Sequence, residues 1–195
     1  MNPVEALFRE LDAQLTPPLL PRVHLQIVGS TALFLQTPYQ RGTKDSDAVL
    51  TRSFDLAVRD ALLALAGKGT RIAQRHGIYL EFVGEGILLL ADDPCWTPCL
   101  SLTSLEVSAL APTDVVVAKL IRLHGDDLQD IEAMVDLGLV THGRLVERFQ
   151  DAIIRHGTYG RSDKLRPAIR NLHRVERDIF QRDESEIEIP EWMDA

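Results

Sequence analysis

The sequence predicts an α/β protein (α/β or α+β), with a small mixed β-sheet flanked by helices and followed by a helical C-terminal region. Two observations lead to this prediction. Short apolar strands alternate with amphipathic helices through about residue 107, and this alternation is typical of mixed folds. From Pro112 onward, apolar residues recur at helical spacing instead. We therefore divide the chain into a core, residues 1–110, and a helical region, residues 111–195, that we expect to pack on the core.

The core is predicted to begin with a helix that Asn2 caps and that Pro17, Pro18 and Pro21 end. Apolar runs bounded by turn residues then predict strands. Two helices are expected between these strands, and Ser53 is the expected N-cap of the second helix. The strands are expected at residues 24–28, 47–50, 78–83, 87–91 and 100–107, and the helices at residues 31–36 and 54–65. A tight turn at Gly84-Glu85-Gly86 predicts that the third and fourth strands form a hairpin.

The C-terminal region is predicted to contain four helices with recognisable start and stop residues. They are expected at residues 115–124, 126–137, 141–155 and 162–182. Residues 155–182 carry eight Lys or Arg against three Asp or Glu, and the tail, residues 183–195, carries six acidic residues and no basic one. The basic segment therefore either contacts an anionic partner or pairs with the acidic tail.

Composition excludes several classes of protein. The 195 residues are 45% hydrophobic and 26% charged, which is ordinary for a globular protein, and no apolar run has the length of a membrane span. The net charge of −8 argues against a protein that coats nucleic acid without sequence preference. A signal peptide is not apparent at the N-terminus, so we expect a cytoplasmic protein. Cys95 and Cys99 are expected to be thiols rather than a disulfide or zinc ligands.

The turn at Gly29-Ser30 is the first candidate site. An apolar strand runs into this turn, and a helix follows it. Glycine allows backbone N–H groups to approach an anion closely, and the helix N-terminus favours negative charge. The pattern is typical of a phosphate-binding turn, although many ordinary strand-to-helix turns contain the same residue types.

Asp45 and Asp47 form the second candidate site, at the start of a predicted strand. Side chains at positions i and i+2 of a strand lie on the same face. Two carboxylates held this close repel each other unless a cation lies between them, and Mg²⁺ or Mn²⁺ is the natural cation for oxygen ligands. An isolated pair of this kind is also common in solvated turns.

A third acid is expected on a later strand. Glu81 stands within the apolar run 78–83, and burial of an unpaired carboxylate is costly. Glu81 therefore faces either solvent or a cation. Glu106 is the rival for this position, because it also stands within an apolar strand.

The order of these elements resembles the nucleotidyltransferase superfamily related to DNA polymerase β. Residues 27–50, with a Gly-Ser turn followed by Arg-x-Thr-x-Asp-x-Asp, are similar to the opening of bacterial members, including members of abortive-infection and toxin–antitoxin systems. A second stretch, residues 110–131, resembles a Pro-x-Asp helix that carries a lysine, here Lys119, and is followed by an acidic helix. Together the resemblance covers about residues 24–140.

The resemblance implies a role for each matching residue. Gly29, Ser30 and Thr31 would hold the phosphates of a nucleoside triphosphate, and Asp45 and Asp47 would bind Mg²⁺ or Mn²⁺. Glu81 would be both the third metal ligand and the acid that helps to activate an acceptor hydroxyl. Glutamate stands where most members of the superfamily have aspartate.

Three basic residues receive roles of the same kind. Lys44 and Arg41 flank the two aspartates and would meet the triphosphate or neutralise the loop. Lys119 would contact phosphate or structure the site through Asp127 or Asp130.

Two functional hypotheses follow from the resemblance. The first is an enzyme that transfers a nucleoside monophosphate from an NTP to an acceptor hydroxyl of RNA, protein or a small molecule; an antitoxin-like partner is expected if the enzyme is a toxin. The second is a scaffold of the same fold that has lost turnover and acts by binding. The direction of Glu81 discriminates between them, since catalysis is doubtful if both Glu81 and Glu106 point away from Asp45 and Asp47.

Overall fold

The computed structural model describes residues 2–15, 21–158 and 162–189. Over these residues the protein is a mixed α/β structure, which confirms the predicted fold class. The chain forms two compact units, Met1–Ile87 with Trp96–Ala111, and Leu88–Cys95 with Pro112–Ala195. The first unit contains the β-sheet, and the second is mainly helical.

The first unit contains a five-stranded sheet of mixed direction. The strand order is β3-β2-β1-β5-β4. The pairs β1–β5 and β2–β3 are parallel, whereas β1–β2 and β4–β5 are antiparallel. The strands are β1 Val23–Val28, β2 Asp45–Leu50, β3 Tyr79–Gly84, β4 Trp96–Ser101 and β5 Leu105–Leu110.

The described part of the same unit contains four α-helices and a short 3₁₀ helix, Glu85–Ile87. The α-helices are α1 Pro3–Gln14, α2 Gly29–Gln36, α3 Leu56–Ala66 and α4 Arg71–His76. Asn2 caps α1 as predicted, because its side chain accepts a hydrogen bond from Val4 N–H. The predicted cap of α3 is wrong: Asp55, not Ser53, accepts from the first N–H groups, and the helix begins at Leu56. The short helix α4, which Thr70 caps, was not predicted.

Alternation along the strands gives the sheet two different faces. One face is buried and apolar, and includes Leu25, Ile27, Ala48, Leu80 and Val107, each at most 1% exposed. The opposite face, which we call the polar face, is at least partly exposed at His24, Gln26, Asp45, Asp47 and Glu81. Asp45, Asp47 and Glu81 therefore lie on the side of the sheet opposite its apolar core face.

The predicted hairpin between the third and fourth strands is wrong. Residues 87–91 form no strand in the structure, and Leu89, Leu90 and Ala91 are buried in the second unit without regular structure. Side chains replace the missing strand partner: His156 accepts from Leu90 N–H at 3.3 Å, and Arg155 donates to the Ala91 carbonyl at 2.6 Å. The backbone hydrogen bonds of Leu90 and Ala91 therefore come from side chains of α7 and not from a neighbouring strand.

The predicted strand 100–107 is also wrong as a single element. It spans the turn between β4 and β5, and β4 begins at Trp96, before the predicted start. Asp12 of α1 holds this turn, since its carboxylate accepts from the N–H groups of Thr103, Ser104 and Leu105 at 3.1, 2.7 and 3.0 Å. Cys99 lies in β4 and, like Cys95, is a free thiol. Burial raises the pKa of Cys99.

The second unit contains four α-helices and a short π-helical segment among its described residues. They are α5 Pro112–Lys119, α6 Gly125–Asp136, α7 His142–Thr158, α8 Ser162–Val175 and the π-helical segment Glu176–Phe180. The predicted helix 115–124 is shorter than expected, because the chain turns after Lys119, with Leu123 at φ +47°, and His124 becomes the N-cap of α6. None of the described helices is both long and apolar enough to cross a lipid bilayer.

Arg148 of α7 connects three segments of the second unit. It is 3% exposed and binds Asp114 of α5 through two nitrogens, at 2.8 and 3.0 Å. The same guanidinium donates to the carboxylate and the carbonyl of Asp93, at 2.9 and 3.0 Å. The hydrogen bonds that Arg148 donates to Asp114 raise the pKa of Arg148 above its ordinary value. This bidentate cluster fixes residues 88–95 against α5 and α7.

The described part of the acidic tail pairs with the helices that precede it. Glu184 contacts Arg177 and lies 3.3 Å from His173. Gln150 uses both ends of its side-chain amide, donating to the Glu188 carbonyl and accepting from its N–H, each at 2.9 Å. Of the two alternatives for the charged C-terminus, the structure shows the pairing of basic helix and acidic tail. Residues 190–195 of the tail, like Pro17 and Pro18, lie outside the described residues.

Candidate functional site

Strands β2 and β3 bring the three predicted acids together. The parallel register places Asp47 opposite Glu81, and Asp45 opposite Tyr79. Because residues two apart share a face of a strand, all three carboxylates project from the polar face. One oxygen of each carboxylate lies within 4.8 Å of the other two. These three residues form what we call the acid cluster.

Glu106 does not join the acid cluster. It lies at the start of β5 opposite His24, and its carboxylate contacts Arg22 at 3.2 Å. The sequence left Glu81 and Glu106 as alternatives for the third acid. Of the two, the strand register brings only Glu81 to the aspartates.

Gly29 lies directly against the acid cluster. Its φ of +68° is in the left-handed region that favours glycine, and a Cβ atom added there would lie 3.3 Å from Asp47 Oδ2. The antiparallel register places the preceding residue, Val28, opposite Asp47. The N-terminus of α2 and the Asp47 carboxylate therefore belong to one site.

Replacement of Gly29 by alanine should damage this site in a specific way. We expect Gly29→Ala to cost about 1–2 kcal/mol of stability from the left-handed backbone alone. The added methyl group should also displace Asp47 and weaken Mn²⁺ binding. Gly77→Ala is a matched control, because Gly77 has the same φ of +68° with no atom within 4 Å of the added Cβ. Mn²⁺ affinity that falls equally in both variants, each checked for folding, would contradict a direct role of Gly29.

The loop before β2 is tied to the same site by hydrogen bonds. Arg41 Nη2 donates to Ser30 Oγ at 2.6 Å, and Arg41 Nη1 donates to the Gly42 carbonyl at 2.9 Å. Thr43 Oγ1 donates to Asp45 Oδ1 at 3.1 Å. Lys44 precedes Asp45 with an exposed side chain. Arg41 therefore places a positive charge at the Gly-Ser turn, next to the position where a phosphate is predicted.

Thr31 occupies a different position from Gly29 and Ser30. It is 1% exposed, and its hydroxyl donates to the Val28 carbonyl at 3.4 Å and accepts from Ser46 at 3.3 Å. Its side chain thus belongs to the core, and its backbone N–H remains the group for the predicted phosphate contact.

Tyr79 adds to the chemistry of the site, and the sequence analysis did not single it out. Burial raises the pKa of Tyr79, and the charges of Asp45, Glu81 and Asp47 raise it further. The phenol thus lies in the negative field of the acid cluster, a field that favours a cation. The sequence could have indicated Tyr79 as a site residue, because it lies two residues from Glu81 and side chains at this spacing in a strand share a face.

Lys119 lies in the second unit, where it forms a buried ion cluster. It is 4% exposed, and its Nζ lies 2.7 Å from Asp127 and 2.8 Å from Asp130. Asp127 also accepts from His124 N–H at 2.9 Å and from Arg122 at 3.3 Å. Burial favours a higher pKa for Asp127, but the bond and charge of Lys119 outweigh it and lower the pKa. The structure shows the contacts with Asp127 and Asp130, and the phosphate contact of Lys119 stays a prediction.

Comparison with known protein families bears directly on this arrangement. A family described as "nucleotidyltransferase of unknown function (DUF6036)" matches residues 5–166. The chain belongs to this family. The match confirms the superfamily inferred from the Gly-Ser turn and the aspartate pair. No curated protein and no solved structure matches the chain.

The acid cluster of this nucleotidyltransferase has the donor set that a hard divalent cation requires. All its atoms are carboxylate oxygens, which suit Mg²⁺ and Mn²⁺ and not a soft metal. Asp45 and Asp47 are half-buried and Glu81 is exposed, so that an ion has access from solvent. The residues present therefore fit the metal that the family implies.

Proposed function

We propose that this nucleotidyltransferase transfers a nucleoside monophosphate from an NTP to an acceptor hydroxyl, with Mg²⁺ or Mn²⁺ held by Asp45, Asp47 and Glu81. The observation that carries the proposal is the close approach of the acid cluster to a helix N-terminus. Three carboxylate oxygens lie within 4.8 Å of one another, and Gly29 lies against Asp47. Membership of a nucleotidyltransferase family supports the nucleotide as substrate.

Each part of the site has a role in this proposal. Divalent ions bound to the acid cluster would neutralise negative charge on the phosphates as they react. The N–H groups at the start of α2 bind phosphate oxygens, which a helix N-terminus favours. Arg41, held at Ser30 by a 2.6 Å hydrogen bond, adds positive charge there.

The reaction requires one bond to form and one to break. The acceptor oxygen bonds to the α-phosphorus, and the bond from that phosphorus to the oxygen bridging to the β-phosphorus breaks. Pyrophosphate leaves with the electron pair. The acceptor proton passes to Glu81, which lies at the exposed side of the acid cluster, and from there to solvent.

The alternative function is a scaffold without turnover, and catalysis would be doubtful if Glu81 and Glu106 both pointed away from the aspartates. Glu106 pairs with Arg22, but Glu81 lies in the acid cluster. This geometry supports the enzyme over the binding scaffold.

Calorimetric titration of ATP, GTP, CTP and UTP in the presence of Mg²⁺ tests the proposal. The parent protein should bind at least one nucleotide in a metal-dependent manner, and the Asp45→Ala/Asp47→Ala variant should not, because the variant lacks two of the three ligands. Binding of no nucleotide by a folded parent would contradict the proposal. Equal binding by both proteins would place the nucleotide elsewhere.

The resemblance to members of toxin–antitoxin systems extends the proposal to a role in the cell. A toxin-type enzyme would act in the cytoplasm on a macromolecule of its host, and an antitoxin-like partner would restrain it. The chemical class of the acceptor decides between this role and a small-molecule transferase.

A further inference from the structure

Strands β1 and β2 separate from each other beyond the acid cluster. In the described part of the chain they pair at Asp47 and Ala48 of β2 and at no further position, although β1 begins at Val23 and β2 continues to Leu50. By contrast, β1 pairs with β5 from Val23 onward, and β2 pairs with β3 along its full length. The sheet is therefore open between the start of β1 and the end of β2.

A pocket of about 610 Å³ lies at this opening. His24 and Gln26 of β1 and Val49 of β2 line the pocket, together with Thr51 and residues of the segment 53–58 that leads into α3. Gln26 and Val49 would form the next pair of the β1–β2 ladder, so the pocket begins where the pairing stops. All its lining residues belong to the first unit.

The acid cluster lies between this pocket and the Gly-Ser turn. Val49 follows Asp47 by two residues in β2, so the two side chains share a face and are separated by a rise of about 7 Å. On β1, the chain runs from the pocket to Val28, which is opposite Asp47, and then to Gly29. The pocket and the predicted phosphate position are therefore on opposite sides of the acid cluster.

We propose that this pocket binds the acceptor of the reaction, and that the acceptor is an uncharged small molecule with hydroxyl groups and an apolar part. The inference rests on the proposed function for the transfer step, but not for binding in the pocket. It makes the protein a small-molecule transferase rather than an enzyme that modifies RNA or protein.

In-line geometry assigns the pocket to the acceptor rather than to the nucleoside of the NTP. In phosphoryl transfer the attacking and leaving oxygens lie roughly in line, on opposite sides of the phosphorus. In the proposed site the pyrophosphate lies at the Gly-Ser turn, where Arg41 donates to Ser30. The acceptor oxygen therefore approaches from the opposite side, where the pocket lies. The nucleoside is attached to the phosphorus at the side of this axis.

The size and the apolar wall of the pocket suit a whole small molecule. Pockets of about 300–1,000 Å³ with mainly apolar walls and a few polar groups are typical of small-molecule sites. Val23, Phe54 and Val58 form the apolar wall. Phe82 supports Phe54 from behind, with the two ring centres 5.2 Å apart. An apolar part of the acceptor can therefore pack against Phe54.

Uncharged polar groups in the pocket suit the hydroxyls of the acceptor. Gln26 is half-buried, and within the described residues its side-chain amide forms no hydrogen bond. The hydroxyls of Thr51 and Ser53 lie 3.3 Å apart, and His24 Nε2 lies 2.7 Å from Ser108 Oγ. Because an amide both donates and accepts, Gln26 is the group that can hold a hydroxyl.

The charges at the pocket do not favour an anionic acceptor. One arginine and one carboxylate line the pocket, Arg22 and Asp55, and each has a partner. Arg22 contacts Glu106 at 3.2 Å, and Asp55 accepts from Ala57 N–H at 2.8 Å. The acid cluster adds negative charge at one end. RNA brings a negative charge with each phosphate and needs a positive surface, which these residues do not provide.

In the complex, a hydroxyl of the acceptor reaches from the pocket to the acid cluster. Its oxygen bonds to the α-phosphorus, and the bond from that phosphorus to the oxygen bridging to the β-phosphorus breaks. Pyrophosphate leaves with the electron pair, and the hydroxyl proton passes to Glu81. The products are pyrophosphate and an acceptor that carries the nucleoside monophosphate through a phosphodiester.

Binding is tested first, without nucleotide, by NMR titration of the isotope-labelled protein. The probe is phenyl β-D-glucoside, which is uncharged and joins hydroxyls to an apolar ring. Phenyl β-D-glucuronide, which differs by one carboxylate, is the matched control. We expect the glucoside to shift the backbone amides of Gln26, Val49 and Ser53. The glucuronide should bind at least about threefold more weakly, because the acid cluster repels it.

Two variants of the pocket should weaken binding of the glucoside. Ser53→Trp fills the pocket from an exposed position and should weaken binding by about tenfold or more. Gln26→Ala removes a hydrogen-bonding group and should weaken it by about three- to tenfold. Arg52→Trp is the matched control, since Arg52 is exposed beside Ser53 but does not line the pocket. It should bind as the parent does.

Three results would overturn the binding proposal, whether or not the protein binds NTP. They are no binding of the glucoside by a folded parent, shifts confined to residues outside the pocket, and equal binding by the parent and Ser53→Trp.

Nucleotide affinity decides between the acceptor and the nucleoside as occupant. We expect Ser53→Trp and Gln26→Ala to bind NTP with Mg²⁺ as tightly as the parent does in calorimetry. In pyrophosphate release, their KM for the glucoside should rise by the factor by which glucoside binding weakens. Loss of NTP affinity by about tenfold or more in Ser53→Trp would assign the pocket to the nucleoside and overturn the inference.

Transfer to competing acceptors is tested last. NTP labelled at the α-phosphate is offered with Mg²⁺ to the glucoside, to a single-stranded RNA with a 3′-hydroxyl, and to a peptide that contains serine. We expect label on the glucoside, and less of it with Ser53→Trp. Label on the RNA or the peptide alone, or on none of the three, would overturn the inference while NTP binding remains. Failure of the parent to bind NTP, with glucoside binding retained, would contradict the proposed function alone.

Discussion

Replacement of Glu81 by glutamine is expected to slow nucleotidyl transfer by about 10³-fold, within the range for loss of a positioned acid or base. Glutamine keeps the shape of the side chain but cannot accept the acceptor proton, and it removes one negative charge from the acid cluster. The measurement is pyrophosphate release with the nucleotide that binds and a hydroxyl acceptor.

Glu106→Gln is the matched control for this experiment. Glu106 also lies within an apolar strand, but its carboxylate contacts Arg22 rather than the aspartates. Its loss should change the rate by no more than about twofold, as expected for an exposed ion pair. Equal losses in the two variants would show that the strand register does not select the reactive acid.

Replacement of Lys119 by methionine is expected to destabilise the second unit by about 3–5 kcal/mol, the usual cost of removing one partner of a buried ion pair. Asp127 and Asp130 are 2% and 0% exposed and would lose their shared cation. Arg122→Met is the control, because Arg122 contacts the same Asp127 with a side chain that is 62% exposed. This control should cost less than about 1 kcal/mol. Urea unfolding measures both values, and similar values would contradict the buried cluster.

The destabilisation caused by Lys119→Met should change with pH in a definite direction. The pKa of Asp127 is lowered in the folded protein, so its stabilising contribution is present above its unfolded pKa and is lost as pH falls through the folded pKa. In Lys119→Met, the carboxylates that have lost the lysine are relieved by protonation at acidic pH. The stability difference between parent and variant should therefore narrow as the pH is lowered. A difference that is constant from neutral to acidic pH would contradict the pairing.

Local sequence was sufficient to predict the first half of the site. The spacing of Asp45 and Asp47 fixes their shared face. Gly29 was predicted to let backbone N–H groups approach a phosphate, which stays a prediction, and its position against Asp47 was not predicted. The third acid was left open between Glu81 and Glu106, because both stand within apolar strands. Only the parallel pairing of β3 with β2 decides between them, and no local pattern specifies which strands become neighbours.

Two of the errors in the fold involve backbone groups that form hydrogen bonds with side chains distant in the sequence. Residues 87–91 were expected to form a strand, but His156 and Arg155 of α7 form hydrogen bonds with the backbone of Leu90 and Ala91. Arg148 binds the Asp93 carbonyl just after them. The turn before β5 similarly depends on Asp12, about ninety positions earlier in the chain. The periodicity of apolar residues indicates which side chains are buried. It does not indicate which groups form hydrogen bonds with the backbone.

Titration with Mn²⁺, followed by the loss of the aqueous Mn²⁺ signal in electron paramagnetic resonance, tests the central claim that the acid cluster is a divalent-metal site. The parent should bind Mn²⁺, and Asp45→Asn/Asp47→Asn should bind it at least about tenfold more weakly, because ligand charge sets the affinity of such sites. The asparagine variant preserves side-chain shape, so an unchanged fold should accompany the loss. Equal Mn²⁺ affinity of the two proteins, or no binding by a folded parent, would contradict the account.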